Sequence, residues 1–279
     1  MDKTSLQREL ASLKAELITQ QTSADANKLS LNGCYGKLGS HWSALYSPSL
    51  LIQTTITGQL AILMLIEALE SRGIAVVSAN TDGIVIKCPR SIEHVMRAEI
   101  AAWEMFTGLE TEGTPYRAIY SRDVNSYLAF KESGGFKAKG AYAQEGLAKN
   151  PSNAICVDAV IAYLDHGKRI PDTINECQDV RKFVTVRRVT GGGTYDGEFL
   201  GKAVRFIYST ASRGAIHYKP KEGQTVGNLV ARSEGCRPLM ELPDDFSLPP
   251  DIDFGWYTDE AYRILGEIGY RHAPVNLED

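Results

Sequence analysis

The sequence predicts an α+β fold, and three observations predict it. Leucines recur at three- and four-residue intervals near the N-terminus, the mark of an amphipathic helix. Apolar and polar residues alternate over 76–87 and 115–131, the mark of strands. The elements run helix, hairpin, helix, strands, which makes a small antiparallel sheet backed by helices.

Along KTSLQRELASLKAELIT, Leu6, Leu10, Leu13 and Leu17 share one helix face. QTSAD is expected to break that helix, with Ser23 or Asp25 capping a second one, ADANKLSLNGCYGKL, so that residues 1–45 form a helical hairpin. SPSLLIQTTITGQLAILMLIEALESRG opens with a capping serine, stops at Gly73, and is apolar enough to read as a buried helix. VVSANTDGIVIK follows, with Asp82 and Gly83 between alternating hydrophobics, a hairpin signal because that dipeptide tolerates positive φ. SIEHVMRAEIAAWEMF is a further amphipathic helix, PYRAIYSRDVNSYLAFK two strands, and KESGGFKAKGAYAQ a glycine-broken basic loop. Beyond Pro151, a helix near VDAVIAYLDHG, a triple glycine at 191–193 read as a flexible turn, and a last helix around TDEAYRILGEIG complete a mixed region. The expected divisions are therefore 1–45, 46–150 and 151–279.

The 279 residues suffice for one large domain or two modest ones. No run reaches the 18 or so consecutive apolar residues of a membrane span, and the N-terminus has no signal-peptide core, so no membrane partner and a cytoplasmic location are expected. Cys34, Cys88, Cys156, Cys177 and Cys236 lie far apart with no C-x-x-C pair, which predicts free thiols rather than a zinc site or a disulfide framework. His41, His94, His166, His217 and His272 have no ligand spacing, and Trp42, Trp103 and Trp256 are read as core. The net charge of −4 is unevenly spread. Residues 181–240 carry 11 Lys+Arg against 4 Asp+Glu, and residues 241–279 carry 2 against 10. A basic segment before an acidic tail fits a nucleic-acid binder, and equally two oppositely charged solvated surfaces.

Two stretches carry candidate chemistry. Lys28, Asn32 and Tyr35 are spaced i, i+4, i+7 on one helix face, joining a cation, an amide and an aromatic ring. Such a stripe suits a phosphorylated ligand with a flat base or sugar, or is simply a solvated face that stops at Gly36. Asp82 either turns the chain or holds a ligand.

KLSLNGCYGKLGS resembles the family B DNA polymerase motif K-x-x-x-N-S-x-Y-G of the fingers, SANTDGIVIK that family's Y-x-D-T-D-S palm hairpin, and FKAKGAYA its basic motif that holds primer-template duplex. The three stand in the family's order over residues 1–150, and GKAVRFIYS is similar to the thumb side of phage-type members. The resemblance implies fingers at 1–45, part of a palm at 46–150 and a thumb-like domain with an acidic tail at 151–279. It implies two-metal nucleotidyl transfer with Mg²⁺, Asp82 being the metal ligand and catalytic residue. Lys28 and Asn32 would line the pocket of the incoming dNTP, with Tyr35 under the nascent base pair. Lys137, Lys139, Tyr142, Lys202 and Arg205 would contact primer-template DNA, although a solvated strand face accounts equally for Lys202 and Arg205.

The chain departs from the pattern at Ser78, in place of tyrosine, at Asn80, in place of the first aspartate, and at Gly33 and Gly83, in place of serines. The family's other palm aspartate, in D-x-x-S-L-Y-P-S upstream of the fingers, has no counterpart, nor do the acidic exonuclease motifs. One carboxylate cannot hold two divalent ions. The expectation is thus the C-terminal half of a split or truncated polymerase of a phage or its bacterial host, completed by an N-terminal polypeptide that supplies the other palm aspartate, shares the two ions and carries any exonuclease. A non-catalytic remnant that binds DNA or a partner is the alternative.

Overall fold

The computed structural model describes residues 3–143 and 151–269. Residues 144–150 and the end of the acidic tail, 270–279 with His272, lie outside the described residues. The fold is α+β, as the patterning predicts. It divides into two compact units, Met1–Glu112 and Gly113–Asp279.

The first unit begins with α1, Lys3–Leu38, a single continuous helix where the sequence suggested a hairpin. The QTSAD stretch does not break it, because it lacks glycine and proline, and the hydroxyls of Thr22 within it and Thr19 just before it bond along the helix instead of capping. Thr19 Oγ1 donates to the Ala15 carbonyl and Thr22 Oγ1 to that of Ile18, each four residues back. Such back-bonding costs a helix far less than a stop requires. Helix α2, Pro48–Ser71, follows a short connection. Ser47 makes no side-chain cap; its amide donates to the Leu38 carbonyl at 2.9 Å, and Pro48 occupies the first turn, where its missing N–H is no loss.

α2 is not the buried helix its composition suggests. Among its residues Leu65 and Leu69 are buried, whereas Leu50, Ile52, Ile56, Leu60, Leu63 and Met64 are exposed. It is also long and apolar enough, by length and composition, to cross a membrane. Gln53, Thr54, Thr55, Thr57 and Gln59 interrupt the apolar run without lowering its average enough to exclude that. Strands β1, Ala75–Asn80, and β2, Gly83–Lys87, pair antiparallel, and α3, Glu93–Thr107, ends at Gly108 in the left-handed region. Leu65, Leu69, Ile74 and Trp103 form the core here, with Ile84 and Ile86 packed on it and the Trp103 indole N–H donating to the Ala61 carbonyl at 2.7 Å. Trp42, read as core, is 98% exposed, in the connection before α2.

The second unit holds two antiparallel sheets. β3, Tyr116–Asp123, pairs with β4, Ser126–Lys131, which pairs with β5, Phe136–Ala138. The apolar face of β4 is used within this unit: Leu128 and Phe130 are buried in its large core. Helices α4, Ala154–His166, and α5, Ile170–Glu176, precede the second sheet, ordered β8-β6-β7-β9. In it β6, Thr185–Tyr195, and β7, Glu198–Tyr208, form a long hairpin, flanked by β8, His217–Tyr218, and β9, Cys236–Pro238. The β6–β7 turn is Asp196–Gly197, both at positive φ (49° and 81°), the conformation that Asp-Gly favours.

The triple glycine is not a turn. It lies inside β6, where a register shift makes a bulge. A Cβ on Gly192 would meet the Phe199 ring at 2.2 Å and one on Gly193 would meet Val204 at 2.9 Å, so the glycines serve close approach rather than flexibility. Helix α6, Phe254–Glu267, is capped by Asp253, whose carboxylate accepts from the Trp256 amide at 2.9 Å. It presents Tyr257, fully buried, whose hydroxyl donates to the Phe183 carbonyl at 2.7 Å and accepts from the Tyr208 amide at 3.0 Å. Trp256 stacks on Tyr208 with ring centroids 3.2 Å apart. The five cysteines are free thiols; Cys156 and Cys236 are buried, and burial pushes the Cys236 thiol up to about 12.

Two predictions follow from the hydrogen bonds of this unit. Tyr257→Phe leaves a buried amide and a buried carbonyl without their partner, and should lower the stability of this unit by about 1–3 kcal/mol in urea titrations. Arg237 donates to both carboxylate oxygens of Asp251 (2.6 and 2.8 Å), and this bond first, with that from Ser209 after it, holds the Asp251 carboxyl below the usual range. A carboxyl with a lower pKa folded than unfolded contributes stability that is present above the unfolded value near 3.9 and is lost as pH falls through the folded value. In Arg237→Met, urea titrations across the pH scale should show a shallower acid decline below about pH 4 than in the parent chain.

Candidate functional site

In the first unit, Lys28, Asn32 and Tyr35 lie on one face of α1, and all three are exposed. Tyr35 is oriented by α2, its hydroxyl lying 2.7 Å from Thr55 Oγ1. Thr55 gives its own hydrogen to the Leu51 carbonyl at 2.8 Å, so Tyr35 is the donor. Gly33 and Gly36 sit beside this stripe, and a Cβ on either would meet nothing within 4 Å. Each lowers helix stability by about 1 kcal/mol relative to alanine, and no packing contact within this chain requires either.

Asp82 stands exposed at the tip of the β1–β2 hairpin. The turn is Thr81–Asp82, closed by the pair Asn80–Gly83. The positive φ, 24°, therefore falls on Thr81 rather than on Gly83, which is the first residue of β2. Thr81 Oγ1 donates to Asn80 Oδ1 at 2.9 Å, which keeps the amide at the foot of the turn. The two-residue turn places Asp82 at the outermost point of the hairpin. Among the described residues no group of three His, Cys, Asp or Glu stands together as a metal site, so Asp82 with its neighbours does not fit a pair of divalent cations.

In the second unit, the basic stretch is a strand rather than a loop. Gly134 and Gly135, at φ 91° and 78°, turn the chain so that Phe136–Ala138 pairs with β4. Strand alternation puts Lys137 and Lys139 on one side, both exposed, while Ala138 packs on the core. Tyr142 does not join them. It is 1% exposed, and burial raises its phenol pKa, so its ring supports the chain from inside and offers no contact surface. The Arg122 guanidinium lies 5.8 Å from its ring centre. Gly140, at φ 60°, is required: a Cβ there would fall 2.2 Å from the Asn125 carbonyl oxygen.

On β7, Lys202 is exposed, whereas Arg205 is half-buried and donates from Nη1 to the Met240 carbonyl at 2.8 Å. Lys202 shares a groove of about 360 Å³ with Arg188, Val189, Thr190, Gly191 and Ala203. Arg188 and Thr190 were not singled out from the sequence. The signal for them was the Arg187–Arg188 pair just before a glycine run, which reads as ordinary strand and turn until the bulge is seen.

Gly140→Ala should displace the Asn125 carbonyl and lower the stability of the second unit by several kcal/mol, measured by urea titration, whereas Gly33→Ala should leave the first unit about 1 kcal/mol more stable.

No protein-family profile matches the chain, and no curated protein matches it. Among solved structures, it is similar to a family B DNA polymerase from the hyperthermophilic archaeon Pyrobaculum calidifontis, at 13% identity and a TM-score of 0.49. The likeness covers 90% of this chain and 33% of that one, so the chain spans about a third of that polymerase.

Proposed function

We propose that this chain is the C-terminal part of a split family B DNA-directed DNA polymerase, active in nucleotidyl transfer only with an N-terminal polypeptide. The observation that carries the reading is the pairing of two features in one unit. A Lys-x-x-x-Asn-x-x-Tyr-Gly stripe lies exposed on a single helix face, and an aspartate stands at the tip of a two-residue hairpin downstream. A helix face that presents a cation, an amide and an oriented tyrosine beside two glycines with open space suits a dNTP. Lys28 meets the triphosphate charge, Asn32 lines the pocket, and Tyr35 lies against the base pair, with room at Gly33 and Gly36 for its approach. Lys137 of β5 and Lys139 just beyond it, both exposed, suit the sequence-independent grip on primer-template phosphates.

Mg²⁺ enters this proposal only as an ion pair shared with carboxylates of the partner polypeptide, because Asp82 alone does not satisfy two divalent cations. A non-catalytic DNA-binding remnant is the second reading, and Asn80 favours it, since an amide stands where the family motif has a carboxylate.

Primer extension with Mg²⁺ and dNTPs tests the choice, on this chain alone and mixed with the polypeptide encoded upstream. Extension is expected only in the mixture, and Asp82→Ala should abolish it. Lys28→Ala should raise the KM for dNTP about tenfold or more, as loss of a charge-assisted hydrogen bond does. DNA binding without extension in any mixture would decide for the remnant.

A further inference from the structure

Helix α1 is longer than the contact it makes. Every one of its residues from 5 to 37 is exposed, and its bond to α2, from Tyr35 to Thr55, lies near its C-terminal end. Eighteen residues, or about 27 Å of helix, separate Tyr35 from Leu17, so the leucines of the first half stand clear of that contact. Leu6, Leu10, Leu13 and Leu17 are 51%, 53%, 58% and 62% exposed. A helix takes most of its stability from packing an apolar stripe, and this stripe meets only water.

The spacing of the four leucines is 4, 3, 4, the alternation of a coiled-coil seam. With Leu10 and Leu17 at position a and Leu6 and Leu13 at position d, Glu9 and Glu16 fall at g, Lys14 and Gln21 at e, and Arg8 at f, on the outside. In a parallel, in-register pair of such helices, a g residue lies beside the e residue five positions on in the facing helix. Glu9 then meets Lys14 of the second copy, and two-fold symmetry makes the pair twice. Glu16 meets the uncharged Gln21. An antiparallel pair with the same leucines in contact, Leu6 on Leu17 and Leu10 on Leu13, sets g beside g instead. Glu9 then stands next to Glu16, a like-charge contact that is also made twice. The seam is thus complementary to itself in one orientation and repelled in the other.

We propose that the first half of α1 is a dimerisation helix, which pairs with the same helix of a second copy of this chain as a short, parallel coiled coil. The proposal depends neither on polymerisation nor on DNA binding. Three turns of seam make a small interface, so the pairing is reversible and set by concentration.

Sedimentation equilibrium of the full chain over a wide range of concentrations tests this. The parent chain is compared with Leu10→Ala/Leu13→Ala, Glu9→Lys and Glu9→Lys/Lys14→Glu. All the substituted residues are exposed on α1 and belong to neither core, and alanine favours the helix, so each variant should keep the parent's circular dichroism. The parent chain should pass from monomer to dimer as its concentration rises. Leu10→Ala/Leu13→Ala should weaken the dimer by about a hundredfold or more, since four leucines leave the seam. Glu9→Lys should weaken it by about fivefold, and adding Lys14→Glu should restore it. A chain that stays monomeric throughout overturns the second copy as the occupant and leaves the seam to a helix of another polypeptide. A dimer unchanged by Leu10→Ala/Leu13→Ala overturns the seam and moves the association to another surface, such as the exposed flank of α2. A dimer strengthened by Glu9→Lys overturns the parallel arrangement.

Discussion

The second unit depends on one hydroxyl. Tyr257 projects from α6 into a fully buried position and bonds the backbone twice, at Phe183 before β6 and at Tyr208 at the end of β7. Those two segments are far apart in the chain, and the tyrosine ties both to one helix. The Cys156 thiol adds a weaker tie from α4 to the Tyr257 carbonyl at 3.5 Å. Around the ring, Phe183 and Tyr208 meet it edge-on at centroid distances of 4.9 and 5.8 Å, the arrangement aromatic quadrupoles favour. The β6–β7 hairpin is therefore anchored at its root, which is what allows its outer half to carry a bulge and a run of like charge.

Much of this was legible in the sequence, because periodicity reports burial. α3, α4, β1–β2 and β3–β4 fall where their patterns place them. Failures came where a local signal has two physical solutions. Asp-Gly appears at 82–83 and at 196–197; in the second it forms the turn with both residues at positive φ, whereas in the first Thr81 takes the positive φ and the glycine joins the strand. Three consecutive glycines read as flexibility, yet Gly192 and Gly193 are there because Phe199 and Val204 occupy the space a side chain would need. QTSAD reads as a helix stop because serine, threonine and aspartate cap helices, but a threonine hydroxyl can also bond four residues back, as that of Thr22 does, and α1 runs through.

The candidate sites divide in the same way. The Lys28, Asn32, Tyr35 stripe follows from helical spacing alone and holds whatever the helix packs against. Lys137 and Lys139 are on one side of β5 because of strand alternation, but the burial of Tyr142 depends on tertiary packing that no three-residue spacing encodes. The Arg188–Lys202 groove was illegible for a stronger reason. Fourteen residues separate the two cations, and only the pairing of β6 with β7, Arg188 opposite Ala203, brings them to one groove.

The uneven placing of apolar side chains has a consequence for cooperativity. The core of the first unit, Leu65, Leu69, Ile74 and Trp103, shares no residue with the large core of the second. Each unit is thus held by a cluster of its own, four buried residues in the first and a far larger set in the second. Amides of β1–β2 exchange with solvent through the opening of a small cluster, while those of β7 wait for the loss of the larger one. The hairpin that carries Asp82 thus belongs to the more readily opened of the two foldons, and anything that covers the exposed apolar flank of α2 would slow its exchange before it changed any bond at the tip.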